Sequence, residues 1–71
     1  MNTPVRFWAD LTTTDFAALD LARTIAVLPV AATEQHGPHL PLSVDTDLVH
    51  GVVAACLPHL PADLSALFLP T

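Results

Sequence analysis

The segment Thr33-Glu34-Gln35-His36-Gly37-Pro38-His39-Leu40-Pro41-Leu42-Ser43-Val44-Asp45 gathers two carboxylates and two imidazoles in a chain where charged residues fill only 13% of positions. Clustering of scarce polar groups beside an apolar run points to chemistry. Glu34 and His36 are two residues apart, so on extended backbone both side chains leave the same side. Asp45 follows a loop broken by Gly37, Pro38 and Pro41, which can fold back over them. Carboxylate oxygen together with imidazole nitrogen suits zinc, manganese and similar divalent ions. Metal binding is the chemistry these residues could do; the plain alternative is a set of polar loop residues in solvent.

The other polar residues each carry competing readings. Asp45 lies just before an expected helix, where an aspartate N-cap is ordinary. Asp47 reads as an acid in that helix's first turn. His39 either supports the ligands from behind or contacts substrate, the alternative being a loop histidine held by a local hydrogen bond. His50 falls on the polar side of the helix, as a solvated or subunit-contacting residue, and His59 near its end, where the helix dipole favours it. Cys56 lies on the helix's apolar stripe and is expected to be a buried small hydrophobe. Trp8 reads as an anchor of core or interface. No Ser-His-Asp, Cys-His or phosphate-loop arrangement is legible.

The elements that must position these residues follow from pattern. Thr12, Thr13 and Thr14 precede Asp15-Phe16-Ala17-Ala18-Leu19-Asp20-Leu21-Ala22, which predicts a short helix with a threonine cap and Asp15 in its first turn. Thr24 to Val30 is continuously apolar and partly β-branched, as in a buried strand of a parallel sheet, with Pro29 near its end. Ala31 to Val44 reads as loop. A second helix is expected from Asp45 or Thr46 to about His59, where Pro58 and Pro61 end it. Leu48, Val49, Val52, Val53, Cys56, Leu57 and Leu60 form its apolar stripe, predicted to pack on the strand Ile25 to Val30. Ala66-Leu67-Phe68-Leu69 reads as a second buried strand. Strand, loop, helix, strand is a βαβ unit, so the fold class is α/β with a parallel sheet.

At 71 residues the chain holds one domain at most. Apolar residues make up 52% of it, more than so short a chain can easily hide. The excess predicts a piece of something larger or a subunit with a large interface, hence a homo-oligomer. A net charge of −5 argues against nucleic acid and against anionic membrane surfaces. No apolar segment approaches the roughly 18 residues of a membrane span. Met1-Asn2-Thr3-Pro4 lacks the start of a signal peptide. The lone Cys56 gives no disulfide framework, which fits a reducing cytoplasm.

One segment also resembles a known family. Leu28-Pro29-Val30-Ala31-Ala32-Thr33-Glu34-Gln35-His36-Gly37-Pro38-His39-Leu40-Pro41-Leu42-Ser43-Val44-Asp45-Thr46 is similar, without a gap, to the first strand and loop of the creatininase (creatinine amidohydrolase) family. The departures from that family's pattern are Ala31, Ala32, Ser43 and Val44, none at a ligand position. Weaker resemblance extends over Trp8 to Leu19 and Leu48 to Thr71.

The resemblance implies a parallel-sheet βαβ start of a larger three-layer domain, with residues 1–71 forming a single partial domain, its amino-terminal part. It implies two divalent metal ions, zinc or else manganese. Glu34 and His36 would bind different metals and Asp45 would bridge both. It further implies hydrolysis of a non-peptide, often cyclic, amide C–N bond in a small-molecule substrate by metal-activated water. Relatives include deformylases and a peptide-maturing peptidase, so the family name does not fix the substrate. The family draws another histidine, another acid and its catalytic groups from later in the chain, so this chain alone is expected to be inactive. The alternative is a non-catalytic assembly piece that docks through its apolar face.

Overall fold

The computed structural model describes residues 4–71. Met1, Asn2 and Thr3, part of the start read as lacking a signal peptide, lie outside the described residues. The order of elements is a short helix α1 (Thr13–Ala17), strand β1 (Ile25–Val27), helix α2 (Val44–Cys56) and strand β2 (Ala66–Phe68). Single 3-10 turns lie at Trp8–Asp10 and Leu57–His59. β1 and β2 pair in parallel, with Ile25 opposite Ala66, Ala26 opposite Leu67 and Val27 opposite Phe68. With α2 between them in sequence, this is the βαβ unit of an α/β protein. No helix is long and apolar enough to cross a membrane among the described residues.

β2 is the buried strand because it has neighbours on both edges. The amide of Leu69 donates to the Val27 carbonyl at 2.8 Å on one edge, and the amide of Phe68 donates to the Arg6 carbonyl at 2.7 Å on the other. A parallel bridge joins Phe7 to Phe68, and their rings lie 6.3 Å apart. Ala66, Leu67 and Phe68 are accordingly the buried apolar residues. Arg6 is buried with them, and its guanidinium donates to the carbonyls of Leu64 and Pro61. The clamp fixes the turn that leads into β2. Thr24 and Ser65, one residue before each strand, join their hydroxyls at 2.9 Å.

β1 departs from the expectation of a long buried strand. Its ladder covers Ile25–Val27 only, and Ile25, Leu28 and Val30 are half to three-quarters exposed. Two physical reasons account for this. Pro29 has no N–H to continue a ladder, and α2 stands off from the strand. Leu48, Val49, Val52, Val53 and Cys56 face Val27, Pro29 and Phe68 across an open groove of about 340 Å³. The predicted packing of the stripe on β1 is therefore loose. Val49, Val53, Leu57 and Leu60 are half-buried, whereas Leu48 and Val52 are 64% exposed. Cys56, expected to be buried, is exposed on the same groove.

The helices also end differently from their sequence patterns. α1 begins as expected. Thr12 Oγ1 accepts from the Asp15 amide at 3.1 Å, and the Thr12 amide donates to Asp15 Oδ2 at 2.9 Å, a reciprocal capping box. It stops at Ala17 rather than running towards Ala22. The Asp20 carbonyl is taken by the Arg23 amide at 3.0 Å and the Thr24 hydroxyl at 2.8 Å, a turn that competes with further helix. Trp8 packs on α1 through Phe16, with ring centroids 4.5 Å apart. α2 starts at Val44 with Ser43 as its N-cap residue, so Asp45 lies inside the first turn and does not cap the helix.

Candidate metal centre

The loop between β1 and α2 is drawn closed by its own backbone. The Glu34 amide donates to the Leu42 carbonyl at 3.1 Å, which brings the two arms of the loop together. At the tip, the Gly37 amide donates to Gln35 Oε1 at 2.9 Å. Gly37 has φ +79°, a left-handed conformation that a side chain would strain. The hydroxyl of Thr46, on α2, reaches the Ala32 carbonyl at 3.5 Å. These contacts seat the first turn of α2 beside the segment that leaves β1. In open parallel sheets that carboxyl end of a strand is where ligands bind.

The closure brings Glu34, His36 and Asp45 together. Each offers one ligating atom, and these atoms all lie within 4.8 Å of one another. His36 Nε2 is 3.1 Å from Asp45 Oδ1. The other ring nitrogen, Nδ1, is 3.0 Å from the carbonyl oxygen of Glu34. A carbonyl can only accept, so this contact places a proton on Nδ1. In the neutral imidazole that leaves the Nε2 lone pair aimed at Asp45. The contact with the Glu34 carbonyl is also the main reason the His36 imidazolium is favoured and its pKa raised, with the carboxylates of Asp45 and Glu34 adding to it against partial desolvation. Glu34 is exposed, while His36 and Asp45 are half-buried.

The remaining polar residues stay outside this group. Asp47 sits in the first turn of α2 as expected, and its Oδ2 accepts from the Ser43 hydroxyl at 2.9 Å. His39 is exposed on the loop tip beside Gly37 and is not one of the three converging residues. His50 is exposed on α2, with Nε2 3.1 Å from the Thr71 hydroxyl. His59 lies in the turn that follows α2. Sequence reasoning missed the carbonyl of Glu34 as the group that orients His36. No side-chain pattern signals it, because the orienting group is a backbone carbonyl and its approach depends on the path of the loop.

The donor set suits a divalent metal on chemical grounds. It offers two carboxylates and one imidazole whose distal nitrogen is fixed by a backbone carbonyl, the arrangement that commonly orients histidine ligands. Comparison with known proteins agrees in family. A protein of Mycolicibacterium smegmatis named mycofactocin precursor peptide peptidase is 37% identical over 68 residues. The match covers 93% of this chain and 28% of that protein. The chain therefore spans little more than a quarter of the relative's length. No solved structure matches the chain. The creatininase family, described as creatinine amidohydrolase, matches residues 9–71, and with nearly the whole sequence covered the chain belongs to that family.

Proposed function

We propose that this chain supplies the first part of the metal site of a creatininase-type hydrolase, whose substrate is a small molecule with a non-peptide, often cyclic, amide bond. The observation that carries the reading is the convergence of Glu34, His36 and Asp45 within 4.8 Å where the loop after β1 meets the first turn of α2. Residues 1–71 then form one partial domain of a larger α/β unit. Glu34, His36 and Asp45 would hold zinc, or else manganese. When bound, such an ion supplies Lewis acidity and lowers the pKa of a coordinated water towards neutrality.

The chain's own residues have definable parts. His36 keeps a proton at Nδ1 against the Glu34 carbonyl and presents Nε2. Asp45 enters from the first turn of α2 with two oxygens, which lets one carboxylate serve two partners and fits a shared ligand in a two-metal site. In the imidazolium Nε2 also carries a proton towards Asp45, and binding a metal through that nitrogen requires the proton to leave. His39, on the exposed loop tip, is available to contact a substrate. Three ligands are too few for two ions, so the chain alone should bind metal without hydrolysing an amide.

The relative's name favours a second substrate class, a peptide. The two differ in substrate and share the site. The assembly-piece alternative leaves three converging ligands without a role. Titration calorimetry with zinc tests the proposal. The wild-type chain should bind zinc, and His36→Ala and Asp45→Asn should each weaken binding by about tenfold or more, at least the loss expected for disturbed supporting residues. Equal binding by all three proteins would sink the reading. Hydrolysis of creatinine and of a short peptide, assayed in a protein that spans the family's full length, separates the two substrates.

A further inference from the structure

We draw no further inference here: the strongest candidate, the open cavity of about 460 Å³ beyond the carboxyl end of β2, where His50 and Thr71 meet an apolar wall of Phe7, Pro29, Val53 and Phe68, carries nothing because nothing in the structure shows what covers it.

Discussion

Asp45 and Asp47 share one helical turn, yet their surroundings give them different work. Asp45 faces His36 at 3.1 Å, while Asp47 is turned to the hydroxyl of Ser43 at 2.9 Å. Asp47→Asn should therefore leave zinc affinity unchanged where Asp45→Asn removes most of it, as read by calorimetry on the two variants side by side. A loss of similar size in both would show that bulk negative charge, rather than a ligand geometry, attracts the ion. The pair also shows what was legible at this scale. Glu34 and His36 declare themselves by their spacing of two on extended backbone. Asp45 does not, because the loop of residues 37–43 and the first residue of α2 separate it from His36, and the path of such a loop is set by contacts like Glu34 N–H to Leu42 O. Backbone carbonyls carry no residue identity, so spacing alone cannot announce them. The resemblance to a family supplied the expectation for Asp45, and the structure brings its side chain to those of Glu34 and His36.

At the scale of elements, the start of α1 was more legible than its end. The threonine cap and Asp15 mark the beginning of α1 because capping is local chemistry written in residue type. Its end depends on whether the next residues prefer a turn, and the Asp20 carbonyl settles that in favour of the turn. The same box makes a pH prediction. The amide and hydroxyl of Thr12 favour the Asp15 carboxylate and hold its pKa below the ordinary value of 3.8. A depressed folded pKa stabilises the helix fully above 3.8, and that contribution is lost as pH falls through the lower folded value. The helical chemical shifts of Thr13 to Ala17 should hold through pH 4 and fade only in stronger acid; Asp15→Asn should make them independent of pH in that range. Fading already near pH 5 in the wild type would place the cause elsewhere. The clamp on β2 makes a second prediction. Arg6 is 8% exposed and serves two carbonyls. Arg6→Ala leaves both without their donor, at a cost of about 1–3 kcal/mol. Arg6→Lys should recover only part of this, since an ammonium lacks the planar fork. Urea unfolding of the three proteins measures it, and an unchanged midpoint for Arg6→Ala would mean that water replaces the clamp.

For the whole molecule, the apolar excess was legible from composition, but its location was not. A compact domain of this length has a radius of gyration of about 11 Å, whereas this chain measures 14.9 Å, with extents of 47 × 24 × 18 Å. The groove between α2 and the sheet is one place where the chain is not closed on itself. Periodicity identified the apolar stripe correctly, yet burial depends on what stands opposite, and here a groove does. That reverses an expectation drawn from the pattern. Val52 at a packed interface would make Val52→Asp ruinous, because an unpaired charge would be buried. At 64% exposure, the new carboxylate would meet water instead. We expect the wild-type chain to self-associate through this groove, with a sedimentation coefficient that rises with concentration. Added salt should strengthen association, since it screens the repulsion between copies that each carry a net charge of −5. Val52→Asp should return the chain to monomer while its unfolding midpoint stays close to that of wild-type protein at the same low concentration. Two outcomes would count against this account. Loss of folding in Val52→Asp would show that α2 closes onto the sheet in solution, and association unaffected by the substitution would move the contact to another apolar surface, such as the one carrying Leu28 and Val30.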